Sequence, residues 1–335
     1  MSTSKQIAIV GATGLVGTTM ISVLQERGLF SKNVRLLASK NSAGKKVIVD
    51  SVEIEIEELT EDSFDNIDVA LFSAGGSISK KYAPIAVANG CIVIDNSSAF
   101  RMEPTVPLVV PSVNAEALNK HNGIIANPNC STIQLVEAIS LLKDYILERV
   151  IVSTYQSVSG AGQKGVDHLK SEINGETPQQ RISQHPLAYN TVFHSFDNSP
   201  YSEEEIKVKN ETKKILSLPD LTIFATCVRV PILGGHAESV YVRTKKEMNL
   251  QTLREEFSNS PSITLMDTPE EHFYPTVHHS SGRDETFVGR LRLESPNELH
   301  LWVVADNLRK GAASNAVDIL QVLLEKNLFT LQKKV

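Results

Sequence analysis

Cys130 is the residue in this chain whose surroundings could make it a reagent. It follows Ile124-Ile125-Ala126, which reads as the end of a short buried strand, and Asn127-Pro128-Asn129, which is turn chemistry. Beyond it Leu135, Ile139, Leu142 and Ile146 recur at helical spacing, predicting a helix that starts beside the cysteine and runs to about Tyr145. A thiol at a helix N-terminus meets free amides and the positive end of the macrodipole, both of which favour the nucleophilic thiolate. Covalent catalysis is the chemistry this would allow. A lone cysteine also fills cores as a small apolar residue, and spacing alone leaves both readings open.

The elements that must position such a thiol are bounded first by size and charge. The chain has 335 residues, more than one typical core accommodates, which favours two domains. With 41% hydrophobic and 21% charged residues and a formal charge of −6, it carries no basic stripe for nucleic acid. Three cysteines, Cys91, Cys130 and Cys227, lack paired spacing, so neither a disulfide framework nor a metal site is expected and a reducing cytoplasm fits. No signal peptide and no membrane-spanning run are expected either.

Gln6 to Val10 reads as a buried strand, followed at once by Gly11-Ala12-Thr13-Gly14-Leu15-Val16-Gly17 and then a helical period through Met20 and Leu24. Strand, glycine-rich turn and helix are the context of a dinucleotide-binding fingerprint, here spaced GxxGxxG. Glycine lets the pyrophosphate approach the helix N-terminus closely. A second strand, Val34 to Ala38, ends at Ser39-Lys40-Asn41-Ser42 with no carboxylate to hold a ribose, which favours NADP; a solvated polar loop would look similar. Strands at Val52–Glu57, Val69–Ser73 and Ile92–Ile94 alternate with a helix through Tyr82 to Asn89, predicting a parallel, doubly wound sheet. Arg101 follows the strand ending at Ile94 and suits an anion clamp as well as it suits an ordinary surface position.

After the Cys130 helix the pattern changes. A strand over Val150 to Val158 runs into Ser159-Gly160-Ala161-Gly162, and residues 174–201 form a long polar excursion in which His185 and His194 read as structural. A helix over Glu203–Leu216 is followed by strands at Leu221–Val230, Ala237–Lys245, Thr286–Leu293 and Glu298–Ala305, a mostly antiparallel α+β set. His272, His278 and His279 have no metal-ligand spacing, and Asn307 to Glu325 reads as a final amphipathic helix.

Seven stretches, in this order, resemble the aspartate-semialdehyde dehydrogenase family: GATGLVG, SSAFRM around Arg101, NPNCSTIQ around Cys130, YQSVSGAG around Gln156, NETKK around Glu211, CVRVPILGGHAESV with Arg229 and His236, and ADNLRKGAA around Asn307. The resemblance covers essentially the whole chain. It implies a Rossmann-type NADP domain over 1–128, completed by the C-terminal helix 307–335, and a catalytic and dimerisation domain over 129–306. It further implies NADPH-dependent reductive dephosphorylation of L-4-aspartyl phosphate to the semialdehyde, on the routes to lysine, threonine, methionine and isoleucine, in a cytoplasmic homodimer.

By the same resemblance Cys130 is the nucleophile, His236 the general acid and base, and Gln156 orients the thiohemiacetal. Arg229 would hold the substrate α-carboxylate and Glu211 its ammonium, while Arg101, Lys214 and Asn129 complete the substrate and phosphate set. Gly11, Ala12, Thr13, Gly14, Leu15 and Val16, Ser39, Lys40, Asn41 and Ser42, Ser73, Ser159, Gly160 and Asn307 would line the cofactor. Asn41 stands where the family often carries arginine, a departure that bears on selectivity for NADP. Two other readings are an N-acetyl-γ-glutamyl-phosphate reductase, whose substrate amine is acetylated and has no use for Glu211, and a silent NADP-binding sensor, which has no use for Cys130, Gln156, Arg229 and His236 together.

Overall fold

The computed structural model describes residues 5–30, 34–49, 51–196 and 198–329, so the outermost parts of the expected first domain, 1–4 and 330–335, lie outside the described residues. The chain forms two compact units, Met1–Pro128 with Ala312–Val335, and Asn129–Gly311. Residues 307–311, expected with the first domain, are grouped with the second.

In the first unit β1 (Ile7–Val10), β2 (Val34–Ala38), β3 (Lys46–Val49), β4 (Val52–Glu58), β5 (Val69–Phe72), β6 (Ile92–Asp95) and β7 (Ile124–Ala126) form one sheet in the order β3-β4-β2-β1-β5-β6-β7. Every pairing is parallel except β3 with β4. Both faces of the central strands are covered, which is why β1, β5 and β6, apart from the terminal Asp95, are apolar without alternation and buried throughout. Ile7 and Ile9 pack against Met20 and Leu24 of α1 (Leu15–Glu26) and against Val317 and Leu320 of the last helix, Ser314–Glu325. Ala8 and Val10 face the other way, onto Ala83 and Ala86 of α2 (Gly76–Ala88). Arg27 at the end of α1 bonds Asp318 and Gln321 of the last helix. The strand order turns back at β1, so the loops after β1 and β5 flank a topological switch point, the usual ligand crevice of such sheets.

The second unit holds β8 (Leu147–Gln156), β9 (Val192–Phe193), β10 (Thr222–Arg229), β11 (His236–Thr244), β12 (Ile263–Leu265), β13 (Thr286–Ser295) and β14 (Glu298–Ala305), ordered β12-β13-β14-β11-β8-β10-β9. The sheet is mostly antiparallel, as expected, with β10 running parallel to β8 and β12 to β13. The helix that begins at Cys130 is buried from Ser131 to Ile139 and packs on β11, β13, β14 and the helix Glu203–Leu216. Its one charged residue, Glu137, is met by Lys310 at 2.8 Å and by the Thr286 hydroxyl at 2.6 Å.

Two expectations about helices need correction. The Cys130 helix ends at Ser140, and Ile146 takes φ 61° and is exposed, so its helical spacing is coincidental. The final segment is not one helix from Asn307; a π-helical turn over Arg309–Ala313 precedes Ser314–Glu325. Crowding gives the reason, because a Cβ on Gly311 would lie 2.7 Å from the Cys130 Cβ and this stretch must follow that surface rather than a helical period.

Glu238 on β11 is fully buried, and neither carboxyl oxygen has a hydrogen-bond partner among the described residues. Burial raises its pKa well above the usual carboxylate range. The unfolded chain ionises Glu238 above its ordinary value while the folded chain must keep the proton, so stability falls as pH rises past that value. Glu238→Gln removes the penalty. Its Tm advantage over the parent should widen by roughly 2 °C or more from pH 5 to pH 8, and a constant difference in thermal melts would contradict the protonated assignment.

Candidate active site

Cys130 is the first residue of its helix, here α4 (Cys130–Ser140), the next after the short α3 (Pro111–Asn114), and is half-buried, whereas Cys91 and Cys227 are sealed in the interior. Burial pushes the Cys91 thiol up to about 12 and that of Cys227 higher still, which leaves both inert. Asn129 is the N-cap of α4; its Oδ1 accepts from the amides of Ser131 at 3.0 Å and Thr132 at 3.3 Å, a contact worth about 1 kcal/mol. Its own amide donates to Glu211 at 2.7 Å and its Nδ2 to Glu204 at 2.7 Å. Both carboxylates lie on α6 (Glu203–Leu216).

Sheet register brings three of the expected residues into one transverse row. Arg229 ends β10 opposite Gln156, which ends β8, and Gln156 lies opposite His236, which begins β11. Parallel β8 and β10 both finish where antiparallel β11 starts, so three strand termini deliver three side chains to one end of the sheet. Arg229 donates to the Ser157 carbonyl at 2.6 Å. Burial depresses its pKa, and the nearby carboxylate of Glu204 opposes that shift. The Gln156 amide nitrogen donates to the Ser131 hydroxyl at 2.5 Å and to Glu204 at 3.2 Å.

His236 is buried, and burial holds it at about 4, so the ring is neutral near neutral pH. Its Nδ1 lies 3.1 Å from the Ser157 N–H, which wants a lone pair, and 3.0 Å from the Gly235 carbonyl, which wants a proton. Each neutral tautomer therefore finds a partner at Nδ1, leaving Nε2 able to serve as acid or base. A Cβ on Gly160 would sit 3.5 Å from that Nε2 and 3.7 Å from Arg229, so glycine keeps the approach to both open. Asn307 brackets the surrounding loops: its Oδ1 accepts from Ser157, Ser159 and the Gly235 amide, and its Nδ2 donates to Ser159.

Two residues join this cluster that sequence reasoning missed. His194, expected to be structural, puts Nδ1 3.3 Å from an Arg229 nitrogen, because β9 pairs Val192 with Arg229. A guanidinium only donates, so His194 accepts and is neutral there, in keeping with burial lowering it to about 4. A lone histidine in a polar excursion gives no sequence signal of this kind. Glu204 is the other. Three glutamates open α6: Glu203 meets Lys207, Glu205 closes a capping box with Ser202, and Glu204 turns toward Asn129 and Gln156 with 12% of its side chain exposed. Burial would raise its pKa, but Lys207 and the two amide donors outweigh that and hold it at about 2.

Glu211 is buried against the Asn129 amide, and Lys214 follows one turn along α6, half-buried. The remaining expected residues belong to the first unit. Gly11 takes φ 86°, and a Cβ there would lie 2.7 Å from the Ser73 carbonyl; one on Gly17 would lie 2.2 Å from the Gly11 carbonyl. The turn Gly11–Gly14 is thus drawn tightly between β1, α1 and the Ser73 loop. Gly14, the N-cap of α1, brings no side chain to the first-turn amides, which suits an anionic ligand. Ala12 is buried beneath the loop, Thr13 is exposed and Leu15 and Val16 are half-buried at the helix start. Ser39, Lys40 and Asn41 are exposed in a turn closed by Ser42 N–H to Ser39 at 2.8 Å. Arg101 is not a surface residue. It is 8% exposed, with Nε on the Asn127 carbonyl and an Nη on that of Asn96, both at 2.9 Å.

Residues 6–121 match the family model described as semialdehyde dehydrogenase, NAD binding domain, and 140–310 match semialdehyde dehydrogenase, dimerisation domain. Aspartate-semialdehyde dehydrogenase of Bacillus subtilis is 45% identical over 98% of this chain and all of its own, and that of Aquifex aeolicus 46% identical over 96% and 99%. A crystal structure of aspartate semialdehyde dehydrogenase II from Vibrio cholerae complexed with ASA superimposes with a TM-score of 0.90 at 40% identity, covering 96% of this chain and 99% of that one.

The contact between Gly311 and Cys130 leaves no room for a methyl group. Gly311→Ala should cost about 1–3 kcal/mol of unfolding free energy in urea, the range for overpacking a filled interior. A variant as stable as the parent would mean that the start of α4 can shift.

Proposed function

The chain belongs to the aspartate-semialdehyde dehydrogenase family, an oxidoreductase of amino-acid biosynthesis, and we propose that it works through a thioester on Cys130 with NADP(H) as its cofactor. The reaction interconverts L-4-aspartyl phosphate and L-aspartate 4-semialdehyde. The observation that carries the site assignment is the row Arg229–Gln156–His236 at the sheet end, with Gln156 bonded to Ser131, the neighbour of Cys130 at the start of α4. In the biosynthetic direction the thiolate attacks the acyl phosphate carbonyl, a carbon–sulfur bond forms, and the carbon–oxygen bond to phosphate breaks. Bound NADPH supplies the hydride that brings the acyl group to the aldehyde level. His236 moves the proton on and off the thiohemiacetal oxygen, and Gln156 orients that adduct. Loss of the thiolate then releases the aldehyde.

Arg229 offers a planar pair of donors to the substrate α-carboxylate, and Glu211 faces its ammonium from beside Asn129. Lys214 and Arg101 would bind phosphate, with inorganic phosphate as the second substrate of the reverse reaction, while Asn129 acts through the helix start it orders. The Gly11 turn with the start of α1 suits the pyrophosphate, and by the family resemblance Ser73, Ser159, Gly160 and Asn307 would line the remainder of the cofactor. Ser39, Lys40 and Ser42 bring hydroxyls and a cation, without a carboxylate, to the end of β2, which favours a 2′-phosphate although Asn41 adds no charge. A homodimer fits the second unit, because the central strand β8 exposes Ile151 and Tyr155 on one face, where a partner would cover them. Free thiols suit the cytoplasm, and among the described residues no helix is long and apolar enough to cross a membrane.

The deciding assay is phosphate-dependent NADP reduction with L-aspartate β-semialdehyde, run beside N-acetyl-glutamate semialdehyde. The free amino acid should be preferred, and Cys130→Ser should abolish turnover while leaving NADP binding intact. Faster reaction of the acetylated substrate, or substantial activity in the serine variant, would overturn the reading. In the same assay kcat/KM for NADP should exceed that for NAD, and Lys40→Ala should narrow the gap. Equal values for the two cofactors in the parent would refute the NADP assignment.

A further inference from the structure

We propose that Glu204 is a positioning residue that fixes the side-chain amides of Gln156 and Asn129, so that Gln156 offers the reacting group its carbonyl oxygen rather than its NH2. The inference rests on the site assignment just given, and it begins with hydrogen-bond valence. An ionised carboxylate only accepts, so whatever part of Gln156 lies 3.2 Å from Glu204 must be a donor, and the NH2 is the sole donor on that side chain. Its second N–H reaches the Ser131 hydroxyl at 2.5 Å. Both amide protons are thereby used, and the oxygen is the end of Gln156 left to meet a ligand.

Asn129 is locked by the same logic. Its Nδ2 donates to the same Glu204 oxygen at 2.7 Å, and its Oδ1 accepts from Ser131 and Thr132, so both ends of the amide are committed. Turning either amide over would set an oxygen against the carboxylate and strand a buried donor. Lys207, 3.4 Å from Glu204, keeps the carboxylate charged in an environment that would otherwise favour its neutral form. Neutral Glu204 could donate as well as accept, and the orientation of Gln156 would no longer be dictated. A carbonyl oxygen at this position receives a hydrogen bond from the hydroxyl of a thiohemiacetal and cannot stabilise an oxyanion.

The test combines kinetics with a spectroscopic readout that does not depend on turnover. Glu204→Ala should lower kcat for L-aspartate β-semialdehyde about ten-fold with KM changed less than two-fold, while Glu204→Gln, which keeps an acceptor oxygen, should recover part of the loss. In a Gln156→Ala background Glu204→Ala should cost clearly less than it does in the parent, the remainder being its hold on Asn129. In protein labelled with 15N-glutamine, the Gln156 side-chain amide resonance, assigned by its loss in Gln156→Ala, should move upfield in both Glu204 variants. If Glu204→Ala fails to fold, Glu204→Gln carries the same cycle and the same resonance. Additive effects, a change confined to KM, or an unmoved resonance would each overturn the proposal. A parent enzyme without semialdehyde activity would instead refute the site assignment, and the resonance would still decide the orientation of Gln156.

Discussion

The second unit is organised around a single residue, Asn129, whose side-chain oxygen closes the first turn of α4 while its two nitrogens are held by Glu211 and Glu204. A helix start leaves amides without partners, and here one side chain supplies them and is itself anchored at both ends. Because α4 is buried from Ser131 to Ile139, it cannot slide to accommodate a different start. Glu137, pinned by Lys310 and Thr286, fixes it further along, and Gly311 presses on the Cys130 Cβ. The backbone of Cys130 is thus fixed before any ligand arrives while its side chain stays partly exposed, as the role proposed for it requires.

Charge in this cluster is arranged with equal economy. Arg229, Lys207, Glu204 and Glu211 carry formal charges, whereas His194 and His236 are kept neutral by burial. A second cation from either imidazole would stand beside Arg229 and oppose it. Neutral rings instead provide lone pairs, one of which steadies the guanidinium itself. Polar groups can be concentrated at the end of a sheet in this way because most of them meet a partner of the complementary kind, which offsets the cost of burial locally.

How much of this is legible in the sequence depends on whether a feature is written in local pattern or in long-range pairing. The doubly wound sheet is legible because β1, β5 and β6 are apolar on both faces and the glycine turn follows β1 at once. α6 is legible to the residue, because Ser202 and Glu205 form a capping box and Ser217 takes a left-handed conformation just past the end. The strand β3 escapes notice because, as the outermost strand, it buries only Val49 fully and exposes Ile48. The stop at Ser140 and the π-helical turn at Arg309–Ala313 answer to tertiary crowding, which no period of 3.6 encodes. His194 and Glu204 enter the cluster through strand pairing and through the direction of one side chain among three glutamates, neither of which spacing can reveal.

The chain closes its first core from both ends. Ala316, Val317, Leu320 and Leu323 of the last helix pack against β1 and α1, although nearly two hundred residues of a separate unit intervene in the sequence, 129–311. During synthesis the sheet of the first unit is therefore complete long before the helix that covers one of its faces exists. The second unit, being continuous, has all its strands in hand by Ala305. An apolar sheet face must wait, uncovered, while an entire neighbouring unit is made, and this is the surface a chaperone would shield on a nascent chain halted before residue 314.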